Sequence, residues 1–600
     1  MQWYIRSNLP TEEINYQSLG LTELEYRILL NRKISSLKEI KYFLNAGFDD
    51  LYSPFLMKDI IQSGNILSKH LSKNSKIRIV GDYDVDGIMS TTILMRGLQR
   101  LKGNVDYIIP HRVRDGYGIN ASIVQKAHED GVDLIITCDN GIAAFDAVEK
   151  ANDLDIDLII TDHHDLVKEG DRDKIPTANA VVNPKQEKDK YPFQGLCGGA
   201  VAYKLMHSLY TIHGLESYLK EDFLAYVALA TVCDVMPLID ENRVLVKEGL
   251  EEISRTSHLG LKALIEACNL KGREIEPYHL GFILGPSINS VGRLEDANQA
   301  VELFLTSDWD KAKSLAQSFK ELNSYRQELT NQGLAKIEEQ LKSYPELPKV
   351  LMLVQEDLHE SIAGIIAGRI KESTNHPTVV LTKTDQGLKG SGRSIEAYNM
   401  SEEFSKFRQD LLSFGGHAMA CGLSLKSENF DAFYKKILDK CPLTQEDFTK
   451  KVYLDAQVPI QMISMELIDS LTKLEPFGVA NPQPSFGDLN LKISNLKILG
   501  KNKNVIKFFV HKGNSYQEAI LFEDYKKFFN RLNESYPPQE VENLYYNREN
   551  NILIDLVYKP SINEFNQKKT IQLVIESYRF KGVQNARDLT WKNKILQSKY

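Results

Sequence analysis

Cysteine is sparse in these 600 residues: there are six, scattered, and no two form a Cys-x-x-Cys pair. Cys138 and Cys233 lie inside apolar runs and read as small buried hydrophobes, which argues against a disulfide framework or a zinc-thiolate site. A reducing cytoplasm is the expected compartment. Long apolar runs are also missing. No stretch is long enough to span a bilayer, and Met1–Arg6 lacks the apolar core of a signal peptide, so no membrane partner is expected. Net positive charge is the third absence. The formal charge is −8, which argues against a protein that coats nucleic acid with a globally basic surface. A local basic groove stays open, as does an acidic site that meets phosphate through cations.

What is present suits a globular protein of several domains, with 42% hydrophobic and 26% charged residues. The chain is organised around Gly81-Asp82-Tyr83-Asp84-Val85-Asp86-Gly87. An apolar run, Ile77–Val80, precedes it and an amphipathic segment, Ile88–Leu101, follows, so the order reads strand, acidic turn, helix. Three carboxylates at alternate positions repel one another unless paired. A divalent cation with a preference for oxygen ligands is the simplest partner. Gly87 is expected to give the turn its sharp bend.

Strand-like runs recur at Val105–Pro110, Leu134–Cys138, Asp157–Thr161 and Ala180–Asn183, mostly separated by helical stretches. Such alternation predicts a parallel sheet covered by helices, whose ligands bind beyond the carboxyl ends of the strands. The polar clusters fall there: Asp139-Asn140-Gly141 after one strand and Asp162-His163-His164 after another. Asp234 follows the apolar run Phe223–Thr231, and one sheet edge is expected to collect all of these acids. Lys311–Leu341, without Gly or Pro until Gly333, reads as a long connecting helix. A second α/β pattern starts at Lys349–Val354. From about residue 450 short β-rich runs and turn signals, including a hairpin turn at Asn502–Asn504, suggest a small barrel.

Asp84, Asp86, Asp139, His163 and Asp234, with Asp82 as a further ligand or acceptor, supply the donors that a pair of divalent ions about 3.5–4 Å apart requires. Each acid alone reads as well as a helix cap or turn residue. Their recurrence after successive strands favours the metal site. His164 either joins the ligands or donates to a phosphate oxygen. Arg293, in the expected loop Asn289–Arg293, suits a phosphate or a surface salt bridge. Gly390-Ser391-Gly392-Arg393-Ser394 suits an anion nest or a plain glycine turn. Gly415-Gly416-His417 sets an imidazole beside a compact backbone. Arg112 and Arg114, in His111–Gly118, suit a loop that meets a phosphate backbone.

Asp84-x-Asp86-Gly87, Cys138-Asp139-Asn140-Gly141, Asp162-His163-His164 and Asp234 resemble the successive motifs of the DHH phosphoesterase superfamily. His359–Arg369, Gly390–Ser394 and Gly415-Gly416-His417 resemble the DHHA1 domain, and Leu474–Gly478 with Asn481-Pro482 resembles the OB-type domain of the RecJ family. The resemblance implies an α/β fold. A parallel-sheet DHH domain (51–270) is joined through a helical connector (271–345) to a second α/β, DHHA1 domain (346–445). A β-barrel OB-type domain (446–580) follows, with an N-terminal arm (1–50) and a basic tail (581–600) at the ends. It implies metal binding by Asp84, Asp86, Asp139, His163 and Asp234. Asp82 stands in where some superfamily members carry a histidine at the position of Val80. Asp139, His164 and Arg293 would be catalytic, and Arg112, Arg114, Arg293, Ser391, Arg393 and His417 would bind substrate. The implied activity is a 5′-to-3′ exonuclease on single-stranded DNA, in repair and recombination, with two Mn²⁺ or Mg²⁺ ions. A single-strand-binding protein and a helicase are the implied partners. A sister phosphodiesterase of short oligoribonucleotides or cyclic dinucleotides has no need of the added barrel. A catalytically dead scaffold has no need of the full ligand set, and a pyrophosphatase has no need of so long a chain.

Overall fold

The structure is a computed structural model that describes residues 2–111, 116, 118–170, 172–565, 568–582 and 592–593. It divides into two bodies. One comprises Tyr52–Met236 and Leu245–Lys450; the other comprises Met1–Leu51, Pro237–Val244 and Lys451–Tyr600.

The larger body opens on a five-stranded parallel sheet: β1 (Lys76–Val80), β2 (Asn104–Ile108), β3 (Leu134–Cys138), β4 (Asp157–Thr161) and β5 (Ala180–Val182). The spatial order is β2-β1-β3-β4-β5. The chain runs outward from β1 to β2, then returns to place β3 on the other side of β1. The crevice beyond β1 and β3 is therefore the point where the strand order reverses, which is where doubly wound sheets hold ligands. β3 is covered on both faces, and its Leu134, Ile135 and Ile136 are wholly buried. Each such side chain contributes about 1.5–3 kcal/mol by leaving water. Helix α1 (Val85–Arg100) packs against α2 (Gly198–His213) and α3 (Ala225–Cys233). Further on, α4 (Gly285–Leu294) packs against α5 (Trp309–Lys342), a helix of 34 residues where the sequence pattern predicts a long one.

The second α/β sheet is built from β6 (Leu351–Val354), β7 (Thr378–Thr384), β8 (Gly387–Arg393), β9 (Ser413–His417) and β10 (Ala420–Leu425). Helix α6 (Glu360–Thr374) lies between β6 and β7 in the chain and packs on β7 and β8. The β6–β7 pair spans that crossover helix and is parallel. The other pairs, β7–β8, β8–β10 and β9–β10, are antiparallel; tight turns join β7 to β8 and β9 to β10.

In the smaller body, β11 (Phe486–Leu499), β12 (Val505–Lys512), β13 (Ser515–Leu521), β14 (Leu553–Phe565) and β15 (Lys568–Phe580) follow the order β11-β12-β13-β15-β14, and β14 pairs back onto β11. The sheet is thus a closed five-stranded barrel, with the expected hairpin between Leu499 and Val505. The N-terminal arm belongs to this body: Gln2–Ile5 pairs in parallel with Lys451–Leu454. Arg32 and Asn31 donate to the buried Asp455 carboxylate, which also accepts from the Ser485 amide at 3.1 Å. Of the basic tail, Lys592–Asn593 add a rung beside Gln2–Ile5, while Arg587, Lys594 and Lys599 lie outside the described residues.

Candidate active site

The acidic turn leaves β1 at its carboxyl end. Asp84 is both a cap and part of the cluster: its carboxylate accepts from the Gly87 amide at 3.1 Å and closes the first turn of α1. Gly87 is required for room rather than for a bend. It lies inside α1, and a Cβ there would sit 2.5 Å from the Asp82 carbonyl oxygen. Asp86, buried, accepts from the amides of Gly198 and Gly199, each at 2.7 Å. The N-terminus of α2 thus anchors this carboxylate through unsatisfied amides and the favourable end of the helix dipole.

The strand ends β3 and β4 deliver the next groups. Asp139 takes a left-handed backbone conformation at φ 61°, and its Oδ1 lies 3.0 Å from His163 Nε2. Asp162 turns away from this cluster to hold its neighbours. Its Oδ1 accepts from the amides of His163 (2.7 Å) and His164 (3.1 Å) and from His164 Nδ1 (2.8 Å), and its Oδ2 accepts from the Ile142 amide (2.9 Å). Asp234 joins the cluster, as expected, but from a helix. It is not at a strand end but caps the C-terminus of α3, and it lies 3.7 Å from His163. An apolar run looks the same in a buried helix as in a buried strand, which is why the pattern alone did not separate them.

Ligand atoms of Asp82, Asp84 and Asp139 lie within 4.8 Å of one another, as do those of Asp86, His163 and Asp234, and those of Asp139, His163 and His164. Burial, and then the charges of Asp86, Asp84 and Asp82, push the Asp139 carboxyl well above its ordinary value. Burial and the same two neighbours, Asp86 and Asp84, push Asp234 up to about 8. Burial opposes charge on His164, yet the hydrogen bond to Asp162 and the surrounding carboxylates raise it to about 9. So dense a cluster of carboxylates is poorly compatible with full ionisation unless cations enter it. Oxygen donors with one or two imidazoles fit Mn²⁺ or Mg²⁺.

Arg293 is not in a loop. It sits in the last turn of α4, and its Nη1 donates to the Ser361 carbonyl at 2.8 Å. Asn289, one turn earlier, accepts from the Val85 amide at 3.1 Å, and a Cβ on Gly292 would lie 2.2 Å from the Tyr83 carbonyl. The Gly390–Ser394 run is neither a nest nor a turn: Gly387–Arg393 is strand β8, paired on both sides, so its amides serve the ladder. Only its side chains remain for a ligand. A Cβ on Gly364 of α6 would meet Arg393 Nη2 at 3.0 Å and Ser391 Cβ at 3.3 Å. Arg293, Ser391 and Arg393 therefore gather around the first two turns of α6, whose N-terminus suits an anion. His417 is exposed at the end of β9; Lys185 first, and the His417 charge as well, hold the Asp165 carboxyl below its usual range. Arg112 and Arg114 lie outside the described residues.

Three family models match the chain: the DHH family, N-terminal domain, over residues 76–231; the DHHA1 domain over 347–441; and the RecJ OB domain over 454–577. The single-stranded-DNA-specific exonuclease RecJ of Bacillus subtilis is 33% identical over 96% of this chain and 70% of its own length. The chain belongs to the RecJ family. RecJ of Escherichia coli is 32% identical over 85% of this chain and 89% of its own length. The crystal structure of RecJ from Thermus thermophilus in complex with Mn²⁺ superposes with a TM-score of 0.79 at 26% identity, covering 96% of this chain and 79% of that one.

Within this RecJ framework, further residues that no motif singles out hold the candidate ligands in place. Asp162, which the Asp-His-His motif presents as one more acid, orients His164. Asn140 accepts from the Ile119 amide and donates to the carbonyls of Val80 and Cys138, tying β1 to β3. Gly198-Gly199 carried a usable signal: two glycines at a helix start, where amides approach an acid closely.

Proposed function

We propose that this RecJ-family chain is a metal-dependent exonuclease that degrades single-stranded DNA from the 5′ end to 5′ mononucleotides, serving repair and recombination in the cytoplasm. The observation that carries the reading is the convergence of Asp82, Asp84, Asp86, Asp139, His163 and Asp234 at the switch point of the parallel sheet. Asp84, Asp86, Asp139, His163 and Asp234 would hold two divalent cations, Mn²⁺ or Mg²⁺, with Asp82 as a further ligand. Two such ions supply water activation at neutral pH and neutralise charge on the phosphoryl group.

The protein's own groups divide the remaining work. Asp162 accepts from His164 Nδ1, which fixes the ring so that Nε2–H donates to a phosphoryl oxygen. With its pKa raised to about 9, His164 brings a positive charge to that oxygen at neutral pH. Arg293, oriented by the Ser361 carbonyl, adds a second cation at the junction of the two sheets' domains. Ser391, Arg393 and the N-terminus of α6 would seat a terminal 5′ phosphate, setting the direction of attack. His417, Arg112 and Arg114 would follow the strand, and the OB-type barrel would grip it by stacking and backbone contacts. A single-strand-binding protein and a helicase are the proposed partners.

Digestion of 5′- and 3′-labelled single-stranded DNA in Mg²⁺, Mn²⁺ or EDTA tests the reading. Early release of 5′ label as mononucleotide, abolished by EDTA, is expected. Preference for short RNA oligomers over long DNA would shift the assignment to the sister phosphodiesterases.

A further inference from the structure

The sheet edge that carries the acidic cluster ends at β5, and the turn beyond it brings a cation rather than an acid. Asn183, the residue after β5, is wholly buried. Its Nδ2 donates to the His164 carbonyl at 3.0 Å, and its Oδ1 accepts from the Lys185 amide at 2.9 Å. One amide side chain thus fixes the backbone of Lys185 against the Asp162–His164 turn. The Lys185 ammonium donates to Asp165 Oδ1 at 2.9 Å. From there its charge is felt within the cluster. Burial first, then the charges of His164 and Lys185, hold the His163 imidazole below its ordinary value. Burial and the acids Asp86 and Asp84 raise Asp234, and Lys185 offsets part of that rise.

The pair with Asp165 is ill suited to a structural role. The Lys185 side chain is 30% exposed and that of Asp165 is 72% exposed. An ion pair so open to water contributes about 0–1 kcal/mol, so either partner exchanges readily. Asp165 also faces a second cation, since the His417 charge reaches it from β9 after that of Lys185. A carboxylate in this position repels the polyanion that a nuclease must admit. Yet it is flanked by two cations, one of which, His417, is already assigned to the strand. Two cations converging on one exposed anion describe the seat of a phosphate.

We propose that Asp165 stands in for a backbone phosphate of the strand. It holds Lys185 at the rim of the acidic cluster before the strand enters. The phosphate adjoining the scissile one then takes its place, and Lys185 becomes the positioning cation for that phosphate. The inference rests on the nuclease reading above and adds to it an exchange of partners at the rim of the site. Lysine suits such an exchange, because its charge sits on a flexible stem with three rotatable donors and no fixed fork.

The test uses the full chain. Were the ion pair structural, removing either partner would act alike. The exchange predicts opposite signs. Lys185→Met should raise KM for single-stranded DNA about fivefold, and Asp165→Asn should lower it about twofold or more, with kcat within about twofold of wild type in both. Lys185→Met should also reduce the slope of log KM against log salt by about 0.7, the loss of one phosphate contact on a single strand. Lys185→Arg should restore that slope. A neutral methylphosphonate moved along the first few linkages should weaken binding to the wild type, and Lys185→Met should be insensitive at one linkage. Anisotropy of labelled DNA in EDTA gives a readout independent of hydrolysis. Failure of the wild type to cut DNA would overturn the nuclease reading, while opposite shifts in affinity would still support the exchange. Shifts of the same sign in Lys185→Met and Asp165→Asn would overturn it. So would an unchanged salt slope in Lys185→Met, or methylphosphonate effects identical in that variant and the wild type.

Discussion

Asp139 shows how one residue carries two opposing demands. Its carboxylate belongs to two of the three candidate ligand groups, and without cations its charge is resisted by burial and by four neighbouring acids. Asp139→Asn should therefore cut nuclease turnover by at least about 10³-fold, comparable to removing a central electrostatic element. Its melting temperature in EDTA should equal or exceed that of the wild type. A lower melting temperature would show that the carboxylate is structural. The same logic sets a pH dependence. A carboxyl whose folded pKa is raised binds more protons folded than unfolded between the two values. For Asp234, raised to about 8, folding stability without metal is lost as pH climbs from its ordinary value toward 8. In EDTA the melting temperature should fall between pH 6 and pH 9. Saturating Mg²⁺ should remove most of that fall, so the stabilisation by metal grows with pH. A metal effect independent of pH would contradict it. Asp162→Asn should lower kcat about 10–100-fold by freeing the His164 ring, with the metal content kept.

At the scale of elements, the sequence made the strand ends legible because a buried parallel strand is a short apolar run and the functional turn begins where it stops. Lys76–Val80 and Leu134–Cys138 are instances of this. The pattern could not show that Asp234 caps a helix, since α3 is apolar all round. Nor could it show that Gly387–Arg393 is a strand, since glycine weakens strands. Those glycines answer to packing: a Cβ on Gly390 would lie 1.9 Å from the Val380 carbonyl, and one on Gly392 would lie 2.5 Å from Met400 Sδ. Gly292 obeys the same constraint against the Tyr83 carbonyl, and its substitution tests whether α4 positions the acidic turn. Gly292→Ala should lower turnover at least tenfold and weaken metal affinity, although no ligand is altered. Wild-type metal affinity would show that the turn keeps its geometry without this contact.

For the whole molecule, the chain order hides the assembly. Residues 2–51 and 237–244 belong to the barrel body that is otherwise built from residues after 451. The contacts that decide this, such as Arg32 Nη2 to Asp455 Oδ2 at 3.0 Å, join residues more than 400 positions apart, and no local pattern announces them. Asp455 is wholly buried and accepts from Arg32, Asn31 and Ser485. Arg32→Ala should destabilise the barrel body by about 3–5 kcal/mol, because it strands a buried carboxylate. Differential scanning calorimetry should show one transition lowered. A variant within about 0.5 kcal/mol of wild type would mean that the ion pair is dispensable. The parallel sheet, by contrast, was readable from alternation alone, and the barrel from its short strands and turns. Both are assembled largely from neighbours in sequence.

The proposed activity depends on acids and an imidazole from separate elements caging a pair of cations. Diffraction from Mn²⁺-soaked crystals, with anomalous peaks located near the manganese edge, measures this directly. Two peaks per chain are predicted, enclosed by Asp84, Asp86, Asp139, His163 and Asp234 and about 3.5–4 Å apart. Manganese bound elsewhere, or no peak beside Asp139, would contradict it.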